Sequence, residues 1–93
     1  MSATQAYQGI RYDDPRVQAE FEQLLGRVVA AEQARTPIAQ RHRKAERDAE
    51  EGAISDAQFR AIDTAYIAAN NAIAAAQRAV DQFLHANRNY RTS

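Results

Sequence analysis

From Phe59 onward the apolar residues recur at alternating steps of three and four: Phe59, Ile62, Tyr66, Ala69, Ile73, Ala76, Val80 and Phe83. That spacing is the seam of a coiled coil, and it predicts one long amphipathic helix. Ala65, Ala72, Ala79 and Ala86 form a second row, each seven residues after the last. A row of methyl groups beside the seam predicts a partner helix in close approach along it. The first half carries a matching phase through Val17, Phe21, Leu24, Val28, Ala31, Ile38 and Ala45, with Arg35, His42 and Ala49 at the remaining seam positions.

The ends of the two periodic segments are marked by capping residues. Asp14 followed by Pro15 is a helix start, because the carboxylate accepts from free amides and proline fits the first helical position. Gly52 stops this helix, since glycine tolerates the left-handed conformation found at helix C-termini. Ser55 and Gln58 form a capping box for the second helix, and Ile54 can pack on Phe59 as a hydrophobic staple. The second helix is expected to run to about Asn89, with Arg88 and Arg91 suiting its C-terminal dipole. A linker as short as Glu51 to Ser55 forces the helices antiparallel.

The fold class is therefore all-α, an antiparallel helical hairpin with an alanine-rich, coiled-coil-like seam. Folding at Ala53 sets Ala49 near Phe59, Ala45 near Ile62, His42 near Tyr66, Ile38 near Ala69, Val28 near Val80 and Leu24 near Phe83. Large side chains then meet small ones along much of the seam. Pro37 is the one discordant residue. Proline inside a helix lacks a donor and clashes with the preceding turn. The heptad phase nevertheless runs through it, and the two helices match in length only if the first is continuous, so a continuous, kinked helix is expected. A break at Pro37 giving three helices is the alternative. The organisation expected is an extended N-terminal arm over residues 1–13, a hairpin over 14–89 and a tail over 90–93.

Composition narrows the functional classes. The chain has 93 residues, with 12 basic and 12 acidic side chains and a net charge of zero. Such a length makes one small domain with a modest core. A neutral chain has no long-range field to gather nucleic acid or an anionic membrane. There is no cysteine, hence no disulfide framework and no thiolate zinc site. No apolar run approaches the roughly 20 residues of a membrane span. The first 14 residues lack a basic segment followed by an apolar one, so no secretion signal is read and a cytoplasmic or virion-associated protein is expected. Only Lys44 among the basic residues is lysine; that bias, with so much alanine, suggests GC-rich bacterial or phage coding.

Residues with chemical potential are few. His42 lies on the seam opposite Tyr66, where a half-buried imidazole bonded to the tyrosine hydroxyl or to water is expected in preference to a pH switch or metal ligand. Asp81 and His85 have a metal-compatible spacing, but two ligands do not make a site, and an exposed ion pair is expected. Arg41, His42, Arg43, Lys44 and Arg47 form a basic cluster that Glu46, Asp48, Glu50 and Glu51 neutralise. No aromatics interleave there for base stacking. Asn70, Asn71 and Gln77 flank the alanine row, either exposed or fixing register through amide hydrogen bonds. There is no paired-carboxylate, serine–histidine, glycine-rich or HExxH arrangement, so neither an enzyme nor a cofactor is expected.

Surplus apolar residues point to association. Leu25, Val29, Ile67 and Leu84 lie outside the closing seam, and Leu25 and Leu84 fall at the same level near the open end. Tyr7, Ile10 and Tyr12 of the arm enter at that end too. Either the arm folds over this patch or a second chain buries it; burial by a protein partner, a second copy or a different chain, is the expectation. Tyr7, Ile10, Tyr12, Leu25, Val29 and Leu84 are its candidate partner-binding residues. The function expected is a non-enzymatic interaction or assembly protein, for example a phage or bacterial structural component. A small inhibitor or adaptor for one host protein is the first alternative, and a nucleic-acid-binding module the second.

Overall fold

The computed structural model describes Tyr7 and residues 9–90. Two helices, α1 over Pro15–Glu50 and α2 over Asp56–Ala86, pack against each other as an antiparallel hairpin, and a short 3₁₀ turn follows at Arg88–Tyr90. The hairpin is a rod of 57 × 19 × 15 Å. That length is what a 36-residue helix reaches, about 54 Å at 1.5 Å per residue.

The starts of both helices follow from their caps. Asp14 is extended and its carboxylate accepts from the amide of Arg16 at 2.9 Å. At α2 the Ser55 hydroxyl accepts from the Gln58 amide at 3.1 Å, and the Gln58 side chain accepts from the Ser55 amide at 2.8 Å. Two amides that the helix itself leaves open are thereby satisfied. Between the helices the backbone closes a Schellman motif: Ala53 N–H donates to the Asp48 carbonyl at 2.7 Å and Gly52 N–H to the Ala49 carbonyl at 3.2 Å. Gly52 has φ +73°, a conformation in which an added Cβ is strained, so glycine here directs the reversal.

Pro37 sits inside an uninterrupted α1, so the three-helix alternative is not what forms. Pro37 is exposed, placing its ring and the unpaired carbonyl one turn earlier on the watered side of the rod. The helix continues through it. Restoring an amide by Pro37→Ala is expected to stabilise the protein. Because solvent already reaches the freed carbonyl, only part of the ~3 kcal/mol proline penalty is recoverable, and about 1 kcal/mol is expected in thermal or urea melts. A loss of stability would mean that the proline is needed to shape this segment.

Two other expectations are revised. The second helix ends at Ala86, not Asn89, because the Asn87 side chain donates to the Phe83 carbonyl at 2.9 Å and the Arg88 guanidinium to the His85 carbonyl at 3.0 Å. The Phe83 carbonyl also keeps its helical bond from the Asn87 amide at 3.0 Å, and the side chains of Asn87 and Arg88 add donors to carbonyls of the last turn. The alanine row does not face α1 either: Ala65, Ala72 and Ala86 are exposed and Ala79 is half-buried. The seam at Ile62, Tyr66, Ala69, Ile73, Ala76, Val80 and Phe83 takes the partner helix, leaving the row on the flank of the rod. Of the arm, residues 1–6 and Gln8 lie outside the described residues, as do residues 91–93 of the tail. The described part of the arm is not fully extended, since Ile10 N–H donates to the Tyr7 carbonyl at 3.3 Å and Gly9 has φ +86°.

Candidate interaction surfaces and the polar seam

Tyr12, Phe21, Val28 and Val80 make the main buried cluster, and Ala45 is buried farther along the rod toward the turn. Tyr12 is the informative member, because it comes from the arm. Its ring stands edge-on to Phe21 (centroids 5.6 Å apart, 72°) and to Phe83 (5.6 Å, 81°), while Phe21 and Phe83 stack at 6.0 Å. Edge-to-face contact sets the positive ring rim against the negative faces of its neighbours. The Tyr12 amide donates to the Gln18 side chain at 3.0 Å, which anchors the arm to the first turns of α1.

The other residues read from sequence as partner-binding distribute unevenly. Tyr7, Ile10, Leu25 and Leu84 are half-buried and packed against this cluster. Tyr7, Ile10 and Tyr12 of the arm thus join the same cluster as Leu25 and Leu84 of their own hairpin. Val29 is half-buried but stands apart from the cluster, bordering a shallow open depression with Glu32, Gln33 and Thr36. Among the described residues Ile67 is the large apolar side chain left exposed, at 52%. Helical spacing sets exposed Arg60, Thr64 and Asn71 on its face of α2, while exposed Ala61, Ala65, Ala68, Ala72 and Ala75 form the adjoining flank.

The Tyr7 hydroxyl donates to Asp81 at 3.1 Å, and Asp81 makes no ion pair with His85, contrary to the pairing expected from their spacing. Burial pushes the Tyr7 hydroxyl above its ordinary value of 10.0, and the hydrogen bond to the Asp81 carboxylate and that group's negative charge push it further. A group whose pKa is raised on folding contributes stability below its unfolded pKa, and that contribution is lost as pH rises through the folded one. Docking of the arm is thus expected to weaken above about pH 10. Tyr7→Phe should flatten this alkaline dependence in melts of wild type and variant compared from pH 8 to 11 (about one unit either side of the tyrosine range); an unchanged slope would show that Tyr7 is not the group responsible.

Midway along the rod the seam turns polar. The His42 ring stacks on Tyr66 at 4.2 Å. Its Nε2 lies 2.8 Å from Asp63 Oδ1 on α2 and its Nδ1 3.0 Å from Glu46 Oε1 on α1. The expected bond to the tyrosine hydroxyl is absent because that hydroxyl belongs to another partner: Arg35 Nη2 donates to it at 2.9 Å, and Arg35 Nε donates to Asn70 Oδ1. The guanidinium carbon also lies over the Tyr66 ring, 5.2 Å from its centre. A singly protonated imidazole donates to one of its two carboxylates, a doubly protonated one to both. Both ring nitrogens lie within hydrogen-bond distance of a carboxylate of the rod itself. Among the described residues no group of three or more His, Asp or Glu side chains is placed to hold a metal ion.

Sequence spacing found His42 beside Tyr66 and Asn70 as a possible register residue. It missed Asp63 and the Arg35–Tyr66 bond. Both were discoverable, since Asp63, Asn70 and Gln77 recur every seven residues along one border of the α2 seam, where long seam side chains of α1 can reach. The structure also leaves Arg41, Arg43, Lys44 and Arg47 on the exposed side of α1, interspersed with the acids that neutralise them. Among the described residues no helix is long and apolar enough to cross a membrane. Comparison with family models, curated proteins and solved structures finds no match for this chain.

Proposed function

We propose that this chain is a non-enzymatic protein-association module, a short helical rod that lies against another protein within a larger assembly. One observation carries the reading: with the arm seated at the open end, the outer side of α2 still presents Ile67 at 52% exposure, next to a flank of exposed alanines. Apolar area left in water is unfavourable by about 25 cal/mol per Å². The small side chains of that flank allow an approaching surface to come close to the helix backbone. The neutral charge balance supports packing, rather than electrostatic steering, as the source of affinity. The carboxylates beside both ring nitrogens of His42 and the shallow, open depression beside Val29 favour association over chemistry on a small substrate.

The test is Ile67→Lys. Its side chain is largely outside the core, so helical circular dichroism and melting should stay within about 0.5 kcal/mol of wild type. Binding should fall at least about tenfold, read by sedimentation for self-association and by quantitative capture for a heterologous partner; about 1.4 kcal/mol corresponds to that factor. If Ile67→Lys binds as wild type does, the outer side of α2 is not the working surface.

A further inference from the structure

The arm is a separate element whose side chains complete the core. Tyr12 is 6% exposed and stands edge-on to the stacked Phe21 and Phe83, and Tyr7 reaches across to Asp81 on α2. Only Asp13 and Asp14, both exposed, join this element to α1. Asp14 is extended at φ −75°, ψ 119°, the conformation that a following proline favours. The chain thus leaves the helix outward, and the arm must bend at a two-residue joint to reach its own hairpin. Lifting it would uncover the Phe21 and Phe83 rings that Tyr12 touches. The occupant that fits this slot is already defined: an edge-on tyrosine, with a second tyrosine placed to donate to Asp81.

We propose that the arm is exchangeable between two copies of this chain, so that Tyr7 and Tyr12 of one copy seat in the Phe21–Phe83–Asp81 slot of the other. Exchange in both directions closes a twofold dimer in which each slot keeps the contacts it has in the single chain. Those contacts cancel between the two states. The balance is then set by the effective concentration of a tethered arm. That concentration lies in the millimolar range for short connections, so the exchanged dimer forms as protein concentration approaches it. This interaction uses the open end and is independent of the outer side of α2.

Two measurements on the full chain test it. The first is isotope-filtered NMR on an equal mixture of labelled and unlabelled wild type, refolded together at about millimolar concentration. Exchange predicts intermolecular contacts between the Tyr12 ring of one copy and Phe83 of the other. The second mixes Tyr12→Ala, which has an intact slot and a defective arm, with Phe83→Ala, which has the reverse. Neither variant holds a good arm in its own slot. The mixture should therefore form a heterodimer at concentrations at least about tenfold below those at which wild type dimerises. Should Phe83→Ala not fold, Asp81→Ala, which removes the acceptor of the Tyr7 hydroxyl, takes its place. A wild type that is monomeric throughout, with a mixture that forms no heterodimer, overturns the proposal. So does a dimer whose Tyr12–Phe83 contacts are all intramolecular; that result leaves association through the outer side of α2 standing.

Discussion

Phe21→Ala is expected to remove about 3–5 kcal/mol of stability, enough to leave much of the protein unfolded at room temperature. Phe21 is 2% exposed and is the only ring that touches Tyr12 of the arm and Phe83 of α2 from the α1 side. Its loss opens a cavity where three chain segments meet. A rod 19 Å by 15 Å in section cannot bring in other side chains to fill that space. The effect should appear as a large drop in the urea midpoint, with an altered Tyr12 signal in the part that still folds. If the midpoint moves by less than what about 1 kcal/mol would produce, the aromatic trio is not the core of the protein.

The second large effect is expected at the opposite end. Ala45 is 3% exposed, buried in the seam near the turn. Ala45→Phe introduces a ring where the helices leave space for a methyl group, and should destabilise by about 1–3 kcal/mol by forcing α1 and α2 apart. Ala72→Leu is the matched control. Residue 72 is exposed on the flank of α2, so at dilute concentration the added side chain should change melting by less than about 0.5 kcal/mol. Equal effects at the two positions would mean that the seam runs along the alanine row after all.

The contrast between Ala45 and Ala72 also shows where sequence patterning is informative and where it stops. The heptad phase of Phe59 to Phe83 placed α2, its seam and its antiparallel partner, because burial of one apolar stripe is a local property of spacing. Caps at Asp14, Gly52 and Ser55 located the ends for the same reason, each being a hydrogen-bonding event within a few residues. The row at Ala65, Ala72, Ala79 and Ala86 is equally periodic, yet alanine is small enough to tolerate either burial or exposure, and its spacing alone does not decide which. Tyr66 lies beside His42 as the seam requires, but its hydroxyl is taken by Arg35, a competition among long side chains that spacing does not rank. The arm is the largest departure from expectation. Tyr7, Ile10 and Tyr12 are read from the sequence as residues for a partner at the open end; in the single chain they join the cluster of their own hairpin, a tertiary event with no periodic signature.

The account rests most heavily on the arm-closed hairpin, and one measurement addresses it directly: nuclear Overhauser contacts of the Tyr12 ring in dilute solution, at concentrations where chains do not meet. Contacts from Tyr12 to both Phe21 and Phe83, with Tyr12 ring shifts displaced by the neighbouring aromatic faces, are the predicted result. A Tyr12 ring with shifts of a solvent-exposed tyrosine and no contact to either phenylalanine would contradict it.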